Sequence, residues 1–243
     1  MPVPLQGVLF DKDGTLFDFE ATWREAVQAM LIMLAPEDGQ RQRQIGAAVG
    51  FDTVTGRFAP GSPLVAGSVE GLASALAPLL PGIDAPTIER LGNAAAQSLS
   101  AQTLVPAADD LPGLLSGLRA RGLRLGVATN DGEAAARSHL NSAGVLGLFD
   151  CVYGYDSGHG HKPEPGLVLA FAEACGVAPE SLVMVGDSVH DLGAGRAAGV
   201  ARVVGVLTGP AEEGDLAPLA DAVVASIDAL PALLEGWNDL STV

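Results

Sequence analysis

Positive charge is scarce in this sequence. The 243 residues include 13 Lys and Arg against 29 Asp and Glu, which gives a formal net charge of −16 and an isoelectric point near 4.4. Only two of the 13 are lysines, Lys12 and Lys162. Nucleic acids and anionic membrane surfaces are bound largely through lysine and arginine, so we expect neither of them as a partner.

Cysteine and long apolar runs are scarce as well. Cys151 and Cys175 form no C-x-x-C pattern, which disfavours a disulfide, a zinc site and a redox centre. The longest apolar stretch, from Ala26 to Ala35, is interrupted by Gln28 and is shorter than the ~18 residues of a membrane helix. The N-terminus from Met1 has no positively charged leader region. We therefore expect a cytoplasmic protein with free thiols, and the sequence leaves monomer and homodimer open.

From about Val105 onward, apolar runs alternate with amphipathic stretches. This alternation predicts an α/β fold with a mostly parallel sheet flanked by helices, to which Gly7 to Phe10 adds one strand. The strands and helices expected after Val105 are 123–128, 133–142, 149–153, 164–175, 182–185, 191–198, 201–206, 222–224 and 227–234.

The segment from Phe17 to Leu104 has a different texture, rich in Ala, Leu and Gln. Helical spacing is seen in Thr22 to Leu34 and in Ser68 to Leu80, while the middle around Phe51 to Pro63 is less regular and no convincing strand appears. We therefore expect an α/β core domain from residues 1–17 and 105–243, and an inserted helical domain at 18–104.

Two carboxylates one residue apart follow the first predicted strand. Asp11 and Asp13 stand in Asp-Lys-Asp-Gly-Thr, directly after Val8-Leu9-Phe10. A carboxylate in this position can attack phosphorus, and a second one can protonate the leaving oxygen and then activate water. A calcium loop of the EF-hand kind is excluded because it needs glycine at its sixth position and glutamate at its twelfth, where this chain has Thr22. A solvated acidic turn is the remaining alternative.

Three further motifs each follow an apolar run. In an open parallel sheet, groups at the carboxyl ends of strands meet at one edge, so we expect these motifs to share a site with Asp11. The candidate residues are Thr129 and Asn130 after Leu125 to Ala128, Lys162 before Pro163, and Asp187 and Asp191 after Leu182 to Val185. Taken alone, the threonine motif is more often a helix cap, the lysine an ordinary loop residue and the aspartate pair a solvated helix start.

The chemistry of these groups suits phosphoryl transfer. The Thr129 hydroxyl and neighbouring backbone N–H groups can bind phosphate oxygens at a helix start. Lys162 is a point charge that can neutralise phosphate and nucleophile together. Asp187 and Asp191 are hard oxygen ligands of the kind that Mg²⁺ prefers, and an acidic protein that binds a phosphate ester needs such a local cation.

Together these motifs resemble the haloacid dehalogenase superfamily, and within it the phosphoglycolate phosphatase-like branch. All four family motifs occur in order, namely Asp-Lys-Asp-Gly-Thr, Val-Ala-Thr-Asn, His-Lys-Pro-Glu-Pro and Gly-Asp-Ser-Val-His-Asp. The resemblance implies a Rossmann-like core with a helical cap domain inserted after the first motif. It also implies Mg²⁺-dependent hydrolysis of a small phosphorylated metabolite through an aspartyl-phosphate.

The same resemblance implies a role for each residue. Asp11 would be the nucleophile and Asp13 the general acid and base, while Thr129 and Lys162 would hold the phosphate. The Mg²⁺ ligands would be Asp11, the Asp13 carbonyl oxygen and Asp187, with Asp191 near the metal. Asn130 of the second motif is a further substrate-binding candidate.

Several residues bear on which of the related activities this protein has. Asp13 disfavours a haloalkanoate dehalogenase, which resembles this family but generally lacks that acid. A phosphonatase needs a lysine in its cap, and residues 17–104 contain none. A sugar-phosphate mutase shares every core residue and stays open, as does a non-catalytic binding or regulatory protein. Among the cap arginines, Arg24 is the preferred candidate for a second anionic group of the substrate, because it is closest to the first motif.

Overall fold

The computed structural model describes residues 4–59, 62–66, 69–98 and 103–240. Residues 1–3, 60, 61 and Ser68, on which parts of the expectations above fall, lie outside the described residues. The chain divides into two compact units, one formed by the residues up to Phe19 with those from Val105 onward, the other by Glu20–Leu104.

The described residues form eight strands and eleven α-helices. The strands are β1 (Gly7–Phe10), β2 (Phe51–Asp52), β3 (Arg57–Phe58), β4 (Arg124–Ala128), β5 (Cys151–Tyr153), β6 (Leu182–Gly186), β7 (Arg202–Val206) and β8 (Ala222–Val224). The helices are α1 (Phe19–Leu34), α2 (Gly39–Ala48), α3 (Pro63–Ala66), α4 (Val69–Leu76), α5 (Ala85–Ser98), α6 (Leu111–Ala120), α7 (Glu133–Ser142), α8 (Gly166–Cys175), α9 (Val189–Ala198), α10 (Glu213–Leu216) and α11 (Leu230–Leu240).

The larger unit contains a six-stranded sheet in the order β5-β4-β1-β6-β7-β8, and every neighbouring pair is parallel. Strand β1 lies at its centre and is buried along its whole length, as is β6. Strands covered by helices on both faces are expected to be continuous apolar runs, which is why these segments were readable from the sequence. The predicted α/β fold is confirmed.

Helices α8 and α9 cover one face of this sheet. Helix α8 packs against β4 and α9, and α9 packs against β6 and β7. The side chains between them form a buried apolar cluster that includes Leu9, Phe171, Met184 and Leu192. The cluster includes side chains of β1, β4 and β6, so this packing buries one face of all three strands.

The smaller unit is mainly helical, but the expectation that it contains no strand is wrong. Strands β2 and β3 pair antiparallel, with Phe51 opposite Phe58 and their ring centroids 4.9 Å apart. The Asp52 carboxylate accepts hydrogen bonds from the Val54 amide and the Thr55 hydroxyl in the turn between them. Two-residue strands are too short to show the alternation by which strands are recognised in a sequence.

Within the described part of the chain, no helix combines the length and the apolar composition that crossing a bilayer would require.

The tight packing of β4 against α8 generates a stability prediction. A β-carbon at Gly126 would overlap the buried ring of Phe171, and we expect Gly126→Ala to lower the free energy of unfolding by about 1–3 kcal/mol, the usual cost of overpacking a core. Chemical denaturation measures this change.

Gly117→Ala is the matched control. Gly117 is exposed on α6, and an added β-carbon there meets no atom within 4 Å, so the replacement should be neutral or raise stability by up to about 1 kcal/mol. Equal effects of the two substitutions would contradict the packing argument.

Candidate active site

The candidate residues of the larger unit lie where neighbouring strands end. Phe10 of β1 is in register with Val127 of β4 and with Val185 of β6, so the three strands stop at the same edge. Asp11 follows β1 directly, Thr129 follows β4 and Asp187 follows β6. Lys162 lies in the loop between β5 and α8.

Lys162 joins two of the carboxylates. Its Nζ lies 2.5 Å from Asp11 Oδ1 and 2.6 Å from Asp191 Oδ1. All three side chains are buried, with at most 8% of any of them exposed. The structure thus brings together residues 11, 162 and 191, which are far apart in the chain.

Asp11, Asp187 and Asp191 form a compact acidic cluster. Each contributes a carboxylate oxygen, and these three oxygens lie within 4.8 Å of one another. Ligands on opposite sides of a Mg²⁺ ion are about 4 Å apart, given its bond length of about 2.0–2.1 Å. The residues present therefore fit a small, hard divalent cation.

Two glycines make room for the Asp187 carboxylate. A β-carbon built on Gly14 or on Gly209 would overlap the Asp187 side chain. Gly14 also has φ +82°, a left-handed conformation that other residues adopt at a cost. The glycine of the first motif is thus required by both the turn and the approach of Asp187.

Burial dominates the electrostatics of this cluster. It raises the pKa of Asp11 to about 7, against the opposing attraction of Lys162 and with repulsion from Asp191. Burial also raises the pKa of Asp187, and repulsion from Asp11 and Asp191 adds to the shift. Burial alone would lower the pKa of Lys162, but attraction to Asp11 and Asp191 outweighs it and the pKa is raised. Lys162 stays charged, and one ammonium faces three carboxylates, an imbalance that favours binding of a further cation.

Asp191 is held by the start of α9. Its Oδ2 accepts hydrogen bonds from the Ser188 amide (3.0 Å) and hydroxyl (2.6 Å), and its own amide is bonded back to the Ser188 hydroxyl. This reciprocal capping box uses one carboxylate oxygen and leaves the other directed at Lys162.

Thr129 and Asn130 differ in what they contact. The Thr129 hydroxyl accepts a hydrogen bond from the Asp131 amide (3.1 Å), and its own hydrogen can be donated to an oxygen of a bound phosphate. The Asn130 Oδ1 accepts a hydrogen bond from the Lys162 amide (2.9 Å), and the Asn130 Nδ2 donates one to the Lys162 carbonyl oxygen (3.1 Å). Asn130 thus fixes the backbone that carries Lys162, and direct substrate binding by Asn130 stays a prediction.

The Asp13 side chain lies outside the acidic cluster. Its Oδ2 is 2.5 Å from Lys12 Nζ, and 15% of the side chain is exposed. Lys12 is fully buried and also contacts Asp131 Oδ2 (3.3 Å) and His139 Nδ1 (3.2 Å). Burial alone would lower the pKa of Lys12, but attraction to Asp13 and Asp131 outweighs it and the pKa is raised.

Sequence reasoning missed Lys12, Asp131 and His139. A signal was present, since Lys12 is one of two lysines and stands between the paired carboxylates. Asp131 and His139 gave no comparable signal, because an aspartate at a helix start and a histidine on a helix are common.

Arg24 belongs to the smaller unit. It lies exposed on α1, and its Nε donates a hydrogen bond to the Gly56 carbonyl oxygen (3.1 Å). Its role in substrate binding stays a prediction.

Comparison with known proteins agrees with this geometry. The model of the haloacid dehalogenase-like hydrolase family matches residues 5–199. The phosphoglycolate phosphatase of Nitrosospira multiformis is 31% identical over 93% of this chain and 94% of its own length. The plasmid-encoded phosphoglycolate phosphatase of Cupriavidus necator is 34% identical over 96% of this chain and 94% of its own length.

A solved structure shares the fold. The β-phosphoglucomutase from Clostridium difficile superposes with a TM-score of 0.64 at 17% identity, over 98% of this chain and 100% of that one. The family match covers both the first strand and the loops that carry Lys162 and Asp187. The resemblance inferred from the motifs is confirmed, and this chain belongs to the haloacid dehalogenase-like hydrolases.

Proposed function

We propose that this protein is a Mg²⁺-dependent phosphatase that hydrolyses a small phosphate monoester of the phosphoglycolate type through an aspartyl-phosphate. The observation that carries the proposal is the buried contact of Lys162 Nζ with Asp11 Oδ1 at 2.5 Å, beside Asp187 and Asp191. A nucleophile attacking a phosphate dianion must overcome mutual repulsion, and a buried ammonium beside it reduces that repulsion.

In the first half of the proposed reaction, Asp11 attacks phosphorus in line with the ester bond. The bond from the Asp11 carboxylate to phosphorus forms while the bond to the ester oxygen breaks. Asp13 gives its proton to the departing alkoxide, which leaves as an alcohol. Lys162 and the Thr129 hydroxyl hold the phosphoryl oxygens during the transfer.

In the second half, Asp13 acts as the base. It removes a proton from a water molecule, whose oxygen attacks phosphorus and displaces the Asp11 carboxylate. Inorganic phosphate leaves, and Asp11 returns to its starting form. Catalysis in this scheme is mainly positioning and charge stabilisation, as expected for phosphoryl transfer.

Asp11, Asp187 and Asp191 would hold the Mg²⁺, together with the Asp13 carbonyl oxygen that the family resemblance implies. When bound, Mg²⁺ supplies positive charge for the phosphoryl oxygens and offsets the repulsion among the carboxylates. Their compact arrangement supports this assignment.

The substrate class is inferred from the relatives. Two proteins that align over nearly the whole chain at 31% and 34% identity are named phosphoglycolate phosphatases, whereas the mutase at 17% identity gives evidence of fold alone. A phosphoglycolate-type ester carries a carboxylate as well as a phosphate, and we propose Arg24 as a group that binds it.

The function is tested by phosphate release from a panel of esters with and without Mg²⁺. We expect 2-phosphoglycolate to give the highest kcat/KM, and a chelator to abolish turnover until Mg²⁺ is restored. Turnover that survives the chelator would contradict metal dependence. Isomerisation of a hexose phosphate without phosphate release would favour the mutase, and binding without turnover would favour a regulatory protein.

Replacement of the nucleophile gives a second prediction. Asp11→Asn should lower kcat by more than about a thousandfold, because an amide cannot form the acyl phosphate. The same substitution at exposed Asp109 is the control and should leave kcat unchanged. Circular dichroism checks that both variants fold, and substantial turnover by folded Asp11→Asn would refute the assignment.

Replacement of the buried lysine gives a third prediction. Lys162→Met removes the ammonium at Asp11 but keeps an unbranched side chain, and we expect kcat/KM to fall by about 10²–10³ for every ester tested. The fall in kcat/KM should be equal for alkyl and aryl phosphates, because Lys162 contacts the nucleophile and has no part in protonating the leaving group in the proposed reaction. A loss below tenfold would exclude Lys162 from the reaction.

A further inference from the structure

The two lysines of this chain are both buried, and each contacts one member of the paired carboxylates. Lys162 Nζ lies 2.5 Å from Asp11 Oδ1, and Lys12 Nζ lies 2.5 Å from Asp13 Oδ2. Lys12 is 0% exposed and Lys162 is 3% exposed. The sequence has eleven arginines, 13 basic residues less two lysines, yet it uses lysine only at these two places.

The side chains around Lys12 are groups that hold a buried ammonium. A lysine ammonium has three N–H donors and no acceptor. Asp13 Oδ2 at 2.5 Å and His139 Nδ1 at 3.2 Å lie within hydrogen-bond distance of it, and Asp131 Oδ2 at 3.3 Å forms an ion pair with it. Because the Lys12 ammonium can only donate, His139 Nδ1 accepts a hydrogen bond from it, and the proton of the neutral imidazole is then on Nε2.

Two of the groups around Lys12 are held in place by contacts that do not involve Asp13. His139 is 1% exposed on α7, and Asp131 is fixed at the start of that helix, where its Oδ1 accepts from the Gly132 amide (3.0 Å). Moving Lys12 would therefore leave a buried carboxylate and a buried imidazole nitrogen without this donor, which is costly in an apolar interior. These contacts therefore disfavour other positions of the Lys12 ammonium.

We propose that Lys12 is a positioning residue for Asp13, and that Asp131 and His139 hold Lys12 in place for this task. The inference rests on the proposed function, in which Asp13 protonates the leaving group and then activates water. A general acid or base must lie within hydrogen-bond reach of the proton it moves, and small displacements are costly in rate. The ammonium restrains the carboxylate of a side chain that is partly exposed.

The leaving group separates this role from general stabilisation of the fold. An alkoxide needs a proton as it departs, whereas p-nitrophenolate is stable as an anion and leaves without help. Since kcat/KM reports the steps up to formation of the phosphoenzyme, a displaced Asp13 should slow alkyl esters and spare the aryl ester. A general loss of structure would slow both.

The experiment compares Lys12→Met with wild type on the alkyl ester that wild type hydrolyses fastest in the panel and on p-nitrophenyl phosphate. We expect kcat/KM to fall by about 10²-fold or more for the alkyl ester, within the usual contribution of general acid catalysis, and by less than about tenfold for the aryl ester. Asp13→Asn should show the same selectivity. The double variant Lys12→Met/Asp13→Asn should have a kcat/KM little below that of Asp13→Asn alone, because both substitutions act through the Asp13 carboxylate.

Lys162→Met is the matched control, since the same substitution at the other buried lysine should affect both esters equally. If Lys12→Met does not fold, Asp131→Asn serves instead, because it keeps the size and an oxygen acceptor but loses the charge, and it should cause a several-fold loss confined to the alkyl ester. Equal losses on both esters, or multiplied effects in the double variant, would overturn the inference alone. Failure of wild type to hydrolyse any ester would overturn the proposed function and this inference with it.

Discussion

The larger unit depends on balancing buried negative charge at one edge of its sheet. Asp11, Asp187 and Asp191 are each at least 95% buried, and their carboxylate oxygens crowd within 4.8 Å of one another. Lys162 neutralises only part of this charge, and burial raises the pKa of Asp11 to about 7. A site that concentrates negative charge in this way favours binding of a cation. The pKa values of its carboxyl groups therefore depend on which ion is bound there.

The neighbouring structure serves to hold that balance. Asn130 forms hydrogen bonds with both the amide and the carbonyl oxygen of Lys162, and Ser188 binds Asp191 through the capping box of α9. Gly14 and Gly209 leave the space that Asp187 occupies. Neutral partners therefore hold together carboxylates that would repel one another in solution. The buried apolar contacts of β1, β4 and β6 stabilise the fold and offset the unfavourable free energy of this arrangement.

The sequence predicted where several candidate residues lie because each follows an apolar run that is typical of a buried strand, and the structure has strands at those places. Parallel strands end at a common edge, which is why Asp11, Thr129 and Asp187 were expected to share it, and the structure brings Asp11 and Asp187 into one acidic cluster. Contacts that depend on side-chain direction could not be predicted in this way. The spacing of residues in the sequence predicts neither the contact of the Asn130 amide with the Lys162 backbone nor the enclosure of Lys12 by Asp131 and His139.

The smaller unit shows the same limit. Apolar spacing predicted α1 and a stretch that includes α4, but neither α2 nor α5. The hairpin of β2 and β3 is too short to have a period and is stabilised by the Asp52 turn and one aromatic pair. Arg24 is close in sequence to the first motif, and its Nε donates a hydrogen bond to the Gly56 carbonyl oxygen, a contact that the sequence does not predict. The contacts of an arginine depend on the orientation of its helix, which apolar spacing does not give.

The burial of both lysines has a practical consequence for handling the molecule. Lys12 and Lys162 lie in described parts of the chain and are at most 3% exposed, so the folded protein presents no lysine amine to the solvent. Reagents selective for lysine amines would reach either residue only when the surrounding structure opens. The rate of their modification is therefore a built-in probe of local opening around the nucleophile and its partner carboxylate, without any introduced label.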